Sequence, residues 1–208
     1  MIQKSKVGIM GGTFNPIHNG HLILAEHARE YCSLDEILFM PSGNSYMKDY
    51  EQIPDGETRI SMTALAIENN PYFALSAMEV ERKGPTYTCE TLAELKKLHP
   101  ETEYYFIVGT DNLFSIETWW KPEEILACCT LIVAARGAKD ESAILKKAAD
   151  LKEKYNARII LLPERKFDIS STEIREKIKR GESVRYLLPD KVITYIEKNR
   201  LYKEKSTA

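Results

Sequence analysis

Val7-Gly8-Ile9-Met10-Gly11-Gly12-Thr13-Phe14-Asn15-Pro16-Ile17-His18-Asn19-Gly20-His21 is the stretch on which the reading of this 208-residue chain turns. Its first four residues read as a short buried strand, and Leu22 to Ala28, directly after it, reads as helix. Between them lies Gly11-Gly12. A glycine pair at a strand-to-helix turn lets the backbone pass close to a phosphate. The helix that follows presents free N–H groups and the positive end of its dipole at the same spot. His18 and His21, on the loop and the first helical turn, add imidazole donors there. The layout suits a polyphosphate. It is not a Walker-type loop, which would carry Gly-Lys-Ser/Thr at this place.

Outward from this stretch, short apolar runs alternate with helix-like ones. Strands are expected at Glu36–Pro41, Phe73–Met78, Tyr104–Gly109, Leu131–Ala135 and Arg158–Leu162. Helices are expected at Thr58–Asn69, Thr91–Leu98, Glu141–Tyr155, Thr172–Lys179 and Asp190–Asn199, with Ser42 to Gly56 as a polar, irregular loop. Strands of this length between helices imply an α/β fold with a doubly wound, mostly parallel sheet. Its ligand crevice then opens at the carboxyl ends of the strands, where the glycine stretch lies. No repeat or linker divides the chain, so a single domain over 1–208 is expected, its last part helical from about 170 to 202.

Composition narrows the function. The net charge of −2, without a lysine-rich block, argues against a general nucleic-acid surface. No apolar run approaches the roughly 20 residues of a membrane span, and no signal peptide is evident. Cys32, Cys89, Cys128 and Cys129 lack paired metal spacing and read as small apolar residues in a reducing compartment. A cytoplasmic protein without nucleic-acid or membrane partners is the expectation. Either helical face could pair with a second copy, so a homo-oligomer is compatible with the sequence.

Near the end, Ile169-Ser170-Ser171-Thr172-Glu173-Ile174-Arg175 offers a second anion site. Ser170 or Ser171 can cap the helix that begins at Thr172, and Arg175 can reach the same anion with a bidentate fork. An ordinary capped surface helix would look alike.

Together, Gly-Gly-Thr-Phe-Asn-Pro-Ile-His-Asn-Gly-His and the Ser-Ser-Thr-x-x-Arg element resemble the two signatures of the nucleotidyltransferase superfamily. Among its members, the whole chain from Val7 to about Tyr202 is most similar to the bacterial nicotinate-nucleotide adenylyltransferases. The resemblance implies a Rossmann-like nucleotidyltransferase fold and adenylyl transfer from ATP, with Mg²⁺, to nicotinate mononucleotide. Deamido-NAD and pyrophosphate would be the products, on the route to NAD. It assigns His18, His21 and Arg175 to the reaction, and Gly11, Gly12, Thr13, Phe14, Ser171 and Thr172 to ATP.

Asp111, in Gly109-Thr110-Asp111 after the central strand, matches a ribose-binding Gly-x-Asp, although a helix cap would look the same. Gly84-Pro85-Thr86-Tyr87-Thr88 and Trp119-Trp120 resemble the acceptor-binding segments, which points to Thr88 for the pyridine carboxylate and Trp119 and Trp120 for the ring. Tryptophans that simply fill the core are the other reading. Lys48 matches a phosphate-holding lysine, but Ser45-Tyr46-Met47 stands where relatives carry Pro-Pro-His. Arg136, after the strand at Leu131–Ala135, is either a phosphate contact or a surface residue. No carboxylate or cysteine completes a metal set around His18 and His21, so no protein-held metal is expected. Sister transferases with another phosphate acceptor (nicotinamide mononucleotide, phosphopantetheine or a cytidylyl acceptor) and a non-catalytic nucleotide binder are the alternatives.

Overall fold

Short apolar runs, buried nearly continuously because both faces are covered, build the sheet. The computed structural model describes residues 5–45, 53–134, 141–163 and 169–203. In chain order the elements are β1 (Lys6–Gly12), α1 (Asn19–Tyr31), β2 (Glu36–Pro41), β3 (Asn44–Ser45), α2 (Gly56–Ile67) and β4 (Phe73–Leu75). There follow α3 (Met78–Glu81), β5 (Pro85–Thr86), α4 (Thr88–Leu98), β6 (Glu103–Gly109), α5 (Thr110–Ser115) and a 3₁₀ turn at Ile116–Thr118. The chain closes with α6 (Pro122–Cys128), β7 (Cys129–Ala134), α7 (Glu141–Tyr155), β8 (Arg158–Leu162), α8 (Ser171–Lys179) and α9 (Asp190–Lys198).

The six longer strands pair in parallel in the order β4-β2-β1-β6-β7-β8. The strand order therefore reverses between β1 and β6, the place where such sheets open a ligand crevice. Successive strand residues feed opposite faces. Ile9, Phe106, Val108, Leu131 and Val133 pack with α4 to α7, while Met10, Ile107 and Ile132 pack with α1, α2, α8 and α9. Each fully buried side chain of this kind contributes about 2 kcal/mol. The two helical layers cover the sheet on both faces.

Four expectations need correcting. The strand expected at Phe73–Met78 ends at Leu75, and Met78 instead opens a four-residue helix. The irregular stretch from Ser42 contains the two-residue strand β3, which pairs in parallel with β5. Helix α4 begins at Thr88 rather than Thr91. Residues 110 to 128 form three helical pieces that periodicity does not reveal, because each is too short to show a repeat. Among the described residues no helix is long and apolar enough to cross a membrane.

Candidate active site

Phe14 sets the shape of the glycine loop. Its φ is 49°, in the left-handed region that costs an L-residue about 1–2 kcal/mol. Burial offsets that cost. The ring is 2% exposed, lies edge-on to His21 with centroids 5.1 Å apart, and leans on Phe39 at 6.0 Å. It also folds back under Gly12, where a Cβ would sit 2.9 Å from the Phe14 ring. Glycine at 12 is thus required by packing as well as by any ligand above it.

His18 is the N-cap of α1. The His21 amide donates to the His18 carbonyl at 2.9 Å, and His21 Nδ1 accepts the His18 amide at 3.2 Å. The two rings stack with centroids 3.7 Å apart and planes 23° from parallel. Because His21 Nδ1 accepts, the neutral ring carries its proton on Nε2. Capping and anion donation therefore coexist: one nitrogen holds the helix start and the other is a donor. His27 and His99 lie away from this pair, His27 against Tyr31 and His99 exposed.

The second motif docks on the same loop. Ser170 is the residue that caps α8, accepting from the Glu173 amide at 3.1 Å. Ser171 Oγ donates to the Pro16 carbonyl at 2.9 Å, and Arg175 Nη1 donates to the Asn15 carbonyl at 2.9 Å. Arg175 Nη2 also reaches Thr172 Oγ1 at 3.3 Å. Two helix N-termini, two imidazoles and a guanidinium thus converge on Gly12 to His21. Tyr202 closes the cluster from the chain's end. Burial pushes its hydroxyl pKa up, while the charges of Arg175 and Arg59 act against that shift.

On the other side of Gly11–Thr13 opens a cavity of about 390 Å³. Thr86, Tyr87, Thr88, Trp119 and Trp120 line it. Trp119 is half-buried, edge-on to Phe106 at 6.3 Å, and its Nε1 is buried without a hydrogen-bond partner among the described residues. Trp120 is 53% exposed at the rim and leans on Tyr87 at 5.7 Å. Thr88 opens α4, so the first turn of an 11-residue helix starts at the cavity wall. Such a start favours a carboxylate.

Glu79 also lines the cavity. Burial pushes its carboxyl pKa up, and hydrogen bonds from Thr91 and the Gly43 amide, with the Arg82 charge, pull it down. Thr91 Oγ1 donates to Glu79 Oε1 at 2.9 Å, and Arg82 donates to Thr91 Oγ1 at 2.9 Å and to Glu94 at 2.5 Å. Gly43 passes so close to this network that a Cβ would lie 1.9 Å from the Glu79 carbonyl oxygen.

The structure thus gathers Gly11, Gly12, Thr13, Thr88, Trp119 and Trp120 around one cavity, and Phe14, His18, His21, Ser171, Thr172 and Arg175 around the adjoining loop. Asp111 is exposed in the first turn of α5, next to Asn112, which lines the cavity. Lys48 and Arg136 lie outside the described residues. Sequence reasoning missed Arg59, Glu79 and Ser42, none of which stands in a motif. Among the described residues no three His, Cys, Asp or Glu side chains form a metal-sized group.

Residues 9–177 match the family described as cytidylyltransferase-like. The probable nicotinate-nucleotide adenylyltransferase of Lachnoclostridium phytofermentans is 47% identical over 197 residues, 95% of this chain and 98% of that protein. The protein of the same name from Thermoanaerobacter is 40% identical over 205 residues, 98% of this chain and 97% of its own. Among solved structures, Plasmodium falciparum nicotinic acid mononucleotide adenylyltransferase complexed with NaAD superposes with a TM-score of 0.77 at 25% identity. That match covers 95% of this chain and 97% of the other.

Proposed function

This chain belongs to the cytidylyltransferase-like family, among its nicotinate-nucleotide adenylyltransferases, and from that premise we propose how its residues share the reaction. The reaction is adenylyl transfer from ATP to nicotinate mononucleotide, a step of NAD biosynthesis. A phosphate oxygen of the mononucleotide attacks the α-phosphorus in line. The bond from that phosphorus to the bridging oxygen breaks, and pyrophosphate leaves with the electron pair. No protein nucleophile is needed; alignment and charge stabilisation carry the rate.

On our reading the glycine loop receives the triphosphate. His18, His21 and Arg175, with the starts of α1 and α8, donate to the oxygens on which charge builds. ATP enters as its Mg²⁺ complex, an ion that keeps much of its coordination in phosphate oxygens and water. Across Gly11–Thr13, the cavity takes the acceptor: Trp119 and Trp120 offer indole surface to the pyridine ring, and Thr88 with the first turn of α4 offers donors to its carboxylate. Asp111 is assigned to a ribose hydroxyl and Lys48 to a phosphate. Four free cysteines suit a reducing cytoplasm.

One observation carries this reading. A single cavity has the glycine loop as one wall and a helix start with two indoles as another, so a phosphate and an anionic aromatic ring fit side by side. The test is pyrophosphate release from MgATP with nicotinate or nicotinamide mononucleotide as acceptor. Strong preference for the acid is expected, since an amide would set its NH₂ against N–H donors. Equal use of both would sink the carboxylate assignment of α4. Release with neither would sink the acceptor.

A further inference from the structure

Arg59 is 3% exposed and sits in the first turn of α2, where its charge faces the positive end of its own helix. Burying a cation there is costly unless its donors are well used. They are used on main-chain carbonyls from three separate places. Nε donates to Pro54 O at 3.1 Å, and Nη1 donates to Ser42 O at 2.7 Å and to Thr13 O at 3.0 Å. Ser42 follows β2, Pro54 precedes α2, and Thr13 lies in the glycine loop.

The last of these bonds has a directional effect. A trans peptide is planar, so its carbonyl and the following N–H point in opposite directions. Holding Thr13 O on Arg59 turns the Phe14 N–H away from α2. The preceding peptide is held likewise: the Ser42 amide donates to Gly12 O at 2.8 Å, which turns the Thr13 N–H away from the Ser42 side. Phe14 keeps its left-handed φ of 49° inside this hold.

We propose that Arg59 is a positioning residue for adenylyl transfer, holding the Thr13 carbonyl so that the Phe14 N–H is aimed at the phosphates above the loop. The inference rests on the glycine loop being the phosphate site, as argued under the proposed function. Lysine cannot replace Arg59, because an ammonium is a point donor without the planar fork that spans these carbonyls.

Arg59→Ala and Arg59→Lys would be assayed for pyrophosphate release beside thermal melts, with and without guanidinium ion at tens of millimolar, and with His21→Ala in parallel. A donor displaced by about 1 Å costs on the order of 100-fold in rate, so kcat of both variants should fall by that order, and by more than either KM rises. Guanidinium should recover about tenfold of the loss in Arg59→Ala and leave the parent and His21→Ala unchanged. Parental kcat in folded Arg59 variants would overturn the inference. So would a loss that follows Tm and ignores guanidinium, which marks a purely structural pin. If Arg59→Ala fails to fold, Arg59→Lys decides by kcat at parental Tm. Slow His21→Ala with normal Arg59 variants removes only this inference, whereas parental rates in all three remove the phosphate site itself.

Discussion

The glycine loop and the cavity proposed for the acceptor share Gly11–Thr13 but are built by opposite means. The loop is contiguous in the chain and is held by its carbonyls. Thr13, Asn15 and Pro16 are tied to side chains 46, 160 and 155 residues away, and Gly12 to the Ser42 amide. The cavity is assembled from side chains of β2, α3, α4, α5 and the Trp119 turn, several of them ionisable or tied to ionisable groups. On the proposed reading the loop aligns the reacting phosphates and its variants should act mainly on rate, whereas the cavity holds the acceptor and its variants should act mainly on affinity.

The largest effect should come from the loop side. His18→Ala or His21→Ala should lower kcat by about 10²–10³-fold, the usual cost of one transition-state donor, with KM values little changed. Steady-state pyrophosphate release measures this, and near-parental kcat in both would reduce the histidines to helix caps. On the cavity side, Trp119→Ala should raise KM for nicotinate mononucleotide by about tenfold while KM for ATP stays put, in keeping with the worth of an aromatic contact. A matching rise in both constants would erase the distinction between the two regions.

Smaller effects test the charge contrast. Glu79 has its folded pKa raised by burial, so its contribution to stability is present below the ordinary value of 4.5 and is lost as pH rises through the folded value. Glu79→Gln should therefore flatten the decline of Tm at rising pH. Glu117 is the opposite case. Hydrogen bonds from Lys147, Lys154 and Tyr155 hold its carboxyl down to about 2, and its contribution is present above 4.5 and lost as pH falls toward 2. Glu117→Gln should lower Tm slightly at neutral pH, and the difference from the parent should vanish in acid and shrink in high salt. A Tm gap that persists at pH 2 would mean packing rather than charge.

The same contrast explains what was legible in the sequence. The parallel sheet could be read because Tyr104–Gly109 and Arg158–Leu162 are short apolar runs between helices. The glycine loop could be read as a strand-to-helix turn because its residues are neighbours in the chain. Trp119, Trp120 and Thr88 were found through family-like segments, and the cavity brings them together. Glu79 and Arg59 were invisible for a physical reason: their roles come from burial and from carbonyls up to 46 residues distant, which periodicity does not encode. The short helices at 110–128 were missed because a turn or two carries no period.

The parallel pairing of β3 with β5 spans only Asn44–Ser45 and Pro85–Thr86, and Pro85 brings no N–H to it. Such a fragment opens at a small fraction of the free energy that unfolds β1 or β6. Thr86 belongs to both this pairing and the cavity wall. Amide hydrogens there exchange through local opening, those of the central strands only through global unfolding. A ligand that binds only the closed wall lengthens the local exchange time by a factor of one plus the ratio of free ligand to Kd, and leaves exchange through other local openings unchanged. On the proposed assignment of the cavity, exchange protection at this short strand pair would gauge acceptor binding.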